Sequence, residues 1–299
     1  MRRRVLPVTA AAALVASAAL TGCSAAQTAE ACEPLLAPGA LSDSVEVSGD
    51  SADSLQVSLS EGSEVLNAQR SIVRSVDEPG AVVSQGSIVG ANLAYVDSSS
   101  GEILEAEPAF GSGEGGRLFL ADPAAGTLIA GVVCAAVGDT VAVALSPEES
   151  AMMGVDGSLV LLAEITSAAE PRATGKTRAL PSGFPAVTTD ETGRPGLVLP
   201  PQKAPSGVRS APRIEGDGEK VTAEHTVIGQ VLTVGWDGVK QKNTWEAGPE
   251  SFGTEAEMEQ SQASFRAELT GYPVGSQVVV IENGEAGSRV SVVDILAVA

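Results

Sequence analysis

Apolar and polar positions alternate with a period of two over several stretches of this chain. Ser87-Ile88-Val89-Gly90 opens one such stretch and Thr226-Val227-Ile228-Gly229 opens another. Val137-Gly138-Asp139-Thr140-Val141-Ala142-Val143 is matched by Val274-Gly275-Ser276-Gln277-Val278-Val279-Val280, and Val160-Leu161-Leu162-Ala163-Glu164-Ile165 by Val290-Ser291-Val292-Val293-Asp294-Ile295. A period of two sends alternate side chains to opposite faces, so these stretches predict strands. Turn chemistry separates them, as in Asp97-Ser98-Ser99-Ser100-Gly101 and Trp236-Asp237-Gly238. The first two landmarks of each set lie roughly 50 residues apart, which predicts an internal repeat. One helix stands out at Glu255–Leu269, where Met258, Gln262, Phe265 and Leu269 share a face, with a shorter counterpart around Leu128–Ala136. Sheets each wrapped on a short helix give an α+β layout of two units.

The N-terminus departs from this pattern. Arg2, Arg3 and Arg4 precede an uncharged apolar run, Val5 to Leu20, which ends in Leu20-Thr21-Gly22-Cys23. These are the zones of an export signal, and the closing cysteine makes it a lipobox. The competing reading is a transmembrane helix with an incidental cysteine. The run is short for a span, which needs roughly 20 residues, and Pro7 interrupts it. Residues 1–22 are therefore expected to be a lipoprotein signal peptide, removed to leave a lipidated Cys23. The product would be a lipid-anchored protein on the outer face of the cell membrane. Two acyl chains hold stably, at about 0.8 kcal/mol per buried methylene.

Without the signal arginines the chain has 15 basic and 38 acidic residues, a net charge of −23. That excludes nucleic acid as a partner, because phosphates call for Lys and Arg. It also leaves the lipid as the sole expected membrane attachment. Beyond Cys23 the cysteines are Cys32 and Cys134, an even pair in an oxidising compartment, so a disulfide is expected, with two free buried thiols as the alternative. His225 is the single histidine, which makes a zinc site or a Ser-His-Asp triad a poor fit.

Eight of the 17 prolines fall between Pro171 and Pro212. Prolines at this density break helices and central strands, so the segment predicts an extended linker. It carries Arg172, Lys176, Arg178, Arg194, Lys203, Arg209 and Arg213 against Asp190 and Glu191. Such a basic strip either lies against the acidic units, pinned between them by Phe184, Val198 and Leu199, or meets anionic wall polymers. The organisation expected is a tether with an N-terminal strand segment (23–62), a first unit (63–168), a Pro-rich basic linker (169–213) and a second unit (214–299).

Within 214–299 the order of features is distinctive. Glu224-His225-Thr226-Val227 leads into Trp236-Asp237-Gly238 and Trp245-Glu246-Ala247-Gly248. Helical turns around Phe265 precede Leu269-Thr270-Gly271, and the chain ends through Val292-Val293-Asp294-Ile295-Leu296. This resembles the FKBP-type peptidyl-prolyl cis-trans isomerases, especially tandem lipoprotein members from high-GC Gram-positive bacteria; residues 63–168 match more weakly. The resemblance implies an activity without nucleophile, metal or cofactor. An apolar cup takes up proline and favours the twisted X–Pro amide, whose rotation otherwise faces a barrier of about 18–20 kcal/mol. The clients implied are unfolded or proline-containing secreted polypeptides, served by a monomer.

Carried over position by position, the implied substrate cleft is Val231 at a strand tyrosine, Gln241 and Lys242 at a Phe-Asp pair, and Phe265 at the aromatic floor. Ser261 and Gln262 stand at an apolar pair, and the late loop is reduced to Glu282-Asn283-Gly284-Glu285-Ala286-Gly287-Ser288. In the first unit the tyrosine position falls on Asn92 or Leu93 and the Phe-Asp pair near Leu104 and Glu105. Ser146-Pro147-Glu148-Glu149 matches a loop of the family. With so many substitutions, no catalytic residue is assigned. Two expectations follow: an isomerase assisting the folding of secreted proteins, or a chaperone-like binding module that keeps the fold without the enzyme.

Overall fold

The computed structural model describes residues 32–60, 65–284 and 287–299, so Cys23 and the signal segment lie outside the described residues. Two antiparallel sheets dominate. The first runs, side by side, Gln69–Arg74, Thr140–Leu145, Leu159–Ala169, Ile88–Asp97 and Ile103–Ala106, with Arg117–Leu120 also paired to Ile88–Asp97. The second runs Gly207–Glu215, Gln277–Gly284, Gly287–Val298, Val227–Gly235 and Lys240–Asn243, with Glu250–Gly253 also paired to Val227–Gly235. Apart from Lys176–Thr177, an added edge strand beside Gly207–Glu215 in the second sheet, the strand order counted along the chain is the same in both. Register repeats too: Asn92 faces Glu164 where Gln230 faces Asp294, each just past a β-bulge. Leu93 therefore corresponds to Val231, which resolves the one-residue ambiguity left by the sequence.

The strands bury both faces. Thr140–Leu145 is buried throughout, as are Val278 to Ile281, because each sheet has a layer on either side. On the inner side lie short helical pieces. Thr127–Val132 packs on the first sheet. Under the second, the expected continuous helix over Glu255–Leu269 is instead a 3₁₀ turn (Glu255–Glu257), an α turn (Met258–Ser261) and another 3₁₀ turn (Arg266–Leu269). Gln262 interrupts it at φ 55°, in the left-handed region, and is exposed rather than on the buried face. The break re-aims the next turn so that Arg266 is fully buried. Its guanidinium donates to the carbonyl oxygens of Gly253 (2.8 Å), Thr222 (2.7 Å) and His225 (2.7 Å). These bonds offset its desolvation, which lowers the pKa of the group.

Each outer face is covered by a small hairpin. Over the first sheet lie the helix Ala40–Ser44 and the paired strands Glu46–Ser48 and Gln56–Ser58; Leu41, Val45 and Leu55 pack on Ala94, Val96 and Leu162. Over the second lie Ala186–Thr189 and Pro195–Val198, with Phe184 set against Val279, Ile281, Val290 and Val292. The Pro-rich segment is thus not a free connector. It contributes that hairpin and two strands of the second sheet, Lys176–Thr177 and Gly207–Glu215.

Its arginines turn to their own surroundings. Arg178 pairs with Glu215, Arg194 with Glu246 and Arg172 with Glu170, while Arg209 lies over the Phe184 ring at 5.5 Å. Phe184 and Leu199 pack on the second sheet, whereas Val198 is 68% exposed. The docking is mainly apolar, and exposed ion pairs contribute little. Raising salt should therefore leave proteolysis within 186–198 unchanged, while Phe184→Ala should speed it roughly tenfold or more. Cleavage rates followed by mass spectrometry check this, and salt-accelerated cleavage would show that charge holds the hairpin.

Cys32 and Cys134 stand at disulfide distance, with Cα atoms 5.5 Å apart. The pair joins the start of the outer layer to the turn after the helix Thr127–Val132. Among the described residues no helix is long and apolar enough to cross a membrane.

Candidate functional site

The four cleft positions separate into three environments. Val231 points into the inner core with Phe265, Phe252, Val293 and Ile295. Val231 and Phe252 are 0% exposed and Phe265 only 3%, and the two rings meet edge to face with centroids 5.1 Å apart. This geometry suits aromatic quadrupoles and leaves neither face of Phe265 open to solvent. Lys242 lies on the edge strand and is ion-paired with Glu250. Gln241 borders a polar cavity of about 230 Å³, together with Glu282, Asn283, Ser288 and Arg289. Arg289 there donates to Glu282 through Nε (2.9 Å), which neutralises the cavity's main cation.

Strand pairing explains the separation. Leu232 faces Asn243 and Thr233 faces Lys242, so the edge strand continues the sheet past the core rather than folding over Phe265. Ser261 is half-buried and Gln262 exposed, and neither adds an apolar wall.

In the first unit Leu93 is a core residue, while Leu104 and Glu105 are exposed. Ser146-Pro147-Glu148-Glu149 forms the start of the helix Pro147–Met152, a capping box in which Glu149 accepts from the Ser146 backbone N–H (3.0 Å) and hydroxyl (2.8 Å). These contacts commit Ser146 and Glu149 to holding a helix end. His225 accepts at Nδ1 from the Thr222 N–H (3.3 Å) and is half-buried. Among the described residues no group of three His, Cys, Asp or Glu could hold a metal ion.

Sequence reasoning missed a pair of buried carboxylates at equivalent register. Glu164 accepts from Asn92 Nδ2 (3.0 Å) and from the backbone N–H groups of Gly111 (2.9 Å) and Gly113 (3.2 Å), so it holds the loop beside the first sheet. Asp294 accepts from Gln277 Nε2 (2.8 Å) and from the Ala173 N–H (2.7 Å), tying down the chain as it enters the second sheet. Burial pushes Asp294 up to about 6, against the opposing pull of those two hydrogen bonds and Arg213. The recurring acid in Ala163-Glu164-Ile165 and Val293-Asp294-Ile295 was a visible signal for both.

No protein-family model matches the chain, and no curated protein matches it. Among solved structures, that of the three FKBP domains of wheat FKBP73 is similar at 15% sequence identity and a TM-score of 0.29, over 78% of this chain and 95% of that one. A TM-score that low carries no weight for the fold or activity of this chain.

Proposed function

We propose that the chain is a lipid-anchored, extracytoplasmic protein of two FKBP-like units that binds unfolded secreted polypeptides without efficiently isomerising their prolyl bonds. The lipobox at Cys23 supports the location, and the ordered motifs of 214–299, with the strand order shared by both sheets, support the two units. The observation that carries the loss of catalysis is the sealed Phe265. Rotation about an X–Pro bond is accelerated where an apolar cup strips water from the amide and fits the twisted form better than the planar ones. A ring 3% exposed and packed edge to face with Phe252 offers no such surface. Val231 supplies no hydroxyl to the substrate, and its own N–H donates to Thr244 Oγ1 (2.8 Å).

The chain from residue 24 onward keeps every described residue, so it serves for the test. In a prolyl-isomerisation assay it should leave the uncatalysed rate unchanged, while it binds a reduced, carboxymethylated protein in the same buffer. Acceleration above background would overturn the non-catalytic reading and restore the isomerase. Failure to bind the unfolded protein would remove the binding function.

A further inference from the structure

The outer face of the second sheet is covered unevenly. Phe184 and the hairpin lie over Val279, Ile281, Val290 and Val292. Toward the other edge, Leu232 and Val234 pair with Val292 and Val290 and so point to the same face. Between these two side chains and the hairpin runs a groove of about 540 Å³, whose apolar wall is Leu197, Val198 and Leu199. That volume is in the range of sites that enclose a ligand. The groove is on the opposite face of the sheet from Phe265.

The first sheet shows what fills this corner when the chain fills it itself. Register places Ala94 and Val96 where Leu232 and Val234 stand, and their edge-strand partners Ala106 and Ile103 where Asn243 and Lys240 stand. There the corner is closed by Leu55, Val57 and Phe110, and both Ala94 and Val96 are 0% exposed. An apolar, partly extended stretch of polypeptide is therefore the natural occupant of the corner, and the second sheet leaves the place open.

The rim of the open groove has also changed in character. Lys240 and Asn243 replace apolar residues, and Arg194 joins them from the hairpin. All three converge on one carboxylate oxygen, Oε1 of Glu246, which accepts from Lys240 Nζ (2.8 Å), Asn243 Nδ2 (2.9 Å) and Arg194 (3.1 Å). The Lys240 hydrogen bond is the first cause holding the Glu246 carboxyl below its ordinary range. Glu246 is half-exposed, so another carboxylate could take its place without a buried group being uncovered.

We propose that this groove binds an extended segment of a client polypeptide, with aliphatic side chains against Leu232, Val234 and Val198 and an acidic side chain displacing Glu246 from Arg194, Lys240 and Asn243. The proposal rests on the polypeptide-binding reading above and moves the contact from the closed family cleft to the outer face. Charge complementarity selects the occupant: three donors beside an apolar channel match an aliphatic segment that carries an acid.

The test is a fluorescence-anisotropy titration of a labelled peptide, Leu-Val-Leu-Ala-Glu-Asp, with the chain from residue 24 onward. Val198→Asp, on an exposed lip where folding is not at stake, should weaken binding about tenfold, as loss of a central apolar contact does. Arg194→Ala with Lys240→Ala should weaken it similarly, and Glu246→Gln should tighten it severalfold by vacating the donors. A peptide with Lys in place of both acids should bind no better to Glu246→Gln than to the parent. The proposal is overturned if the parent binds the peptide and both loss variants leave the affinity within about twofold. It is overturned as well if the parent binds the carboxymethylated protein but not the peptide; in both cases the polypeptide-binding reading survives. If the parent binds neither, that reading and the groove fall together.

Discussion

Removing the Cys32–Cys134 bond, by Cys32→Ser with Cys134→Ser, is expected to lower the free energy of unfolding by about 4 kcal/mol. The pair is 102 residues apart in sequence, so the bond withdraws a large share of loop entropy from the unfolded chain. The native state gives little back on losing it, because Leu41, Val45 and Leu55 keep the outer layer packed on the first sheet. Position 134 also has a backbone signature. Cys134 is at φ 68°, a left-handed conformation that glycine adopts freely and serine does not. Combined with Cys32→Ser, Cys134→Gly should therefore be more stable than Cys134→Ser by about 1 kcal/mol, although neither can form the bond. Urea unfolding of the parent and the two double variants measures both effects. A loss under about 1 kcal/mol would show that the bond constrains nothing the packing does not already hold. The premise itself is checked by intact mass, since two free thiols would add two hydrogens to the non-reduced chain.

Strands were legible in the sequence from alternation where one face is polar, and from unbroken runs of Val and Ile where both faces are buried, as over Val278 to Ile281. The repeat was legible because Ile88–Asp97 and Val227–Gly235 begin alike and lie in the same place in their sheets. The outer layer of the first sheet was legible only as an N-terminal strand segment somewhere in 23–62, without strand bounds or pairing. Glu46–Ser48 and Gln56–Ser58 are too short to show a period. The Pro-rich stretch read as a linker because proline is excluded from central strands. Pro195 avoids that exclusion in a hairpin of two strands, and Pro212 sits at a register shift within its strand. The break at Gln262 escaped notice because it accompanies the burial of Arg266, and arginine is ordinarily an exposed residue. At the candidate site Val231 and Phe265 share one core, but its closure depends on Phe252, in the short strand Glu250–Gly253, which the positional comparison did not include. The groove was invisible for a different reason: it exists only between a sheet face and a hairpin, Ala186–Thr189 with Pro195–Val198, that was read as an extended linker.

Asp294 should make the chain more stable at mildly acidic pH than at neutral pH, by up to about 3 kcal/mol. The sign follows from proton linkage. Its carboxyl has an ordinary value of 3.8 and is pushed up to about 6 by burial. Between those values the folded chain holds a proton that the unfolded chain has lost, so stability rises as pH falls from about 6 toward 4 and declines as pH rises through 6. Other carboxylates oppose this only at lower pH. Asp97, Asp190, Glu149 and Glu257 are held below their ordinary values, so what they contribute is lost as pH falls further. The chain's excess of acids also favours mild acidification by reducing self-repulsion, so the parent's profile alone is not diagnostic. Asp294→Asn separates the two. The amide cannot accept from both Gln277 Nε2 and the Ala173 N–H, and that mismatch costs about 1–3 kcal/mol at every pH. The informative quantity is accordingly the slope and not the level. Urea-unfolding free energies of parent and variant, measured between pH 7 and pH 4.5, should converge toward higher pH, with the parent gaining stability over the variant as pH falls. Parallel profiles would mean that Asp294 is charged in the fold throughout, with Gln277, Ala173 and Arg213 compensating fully for its burial.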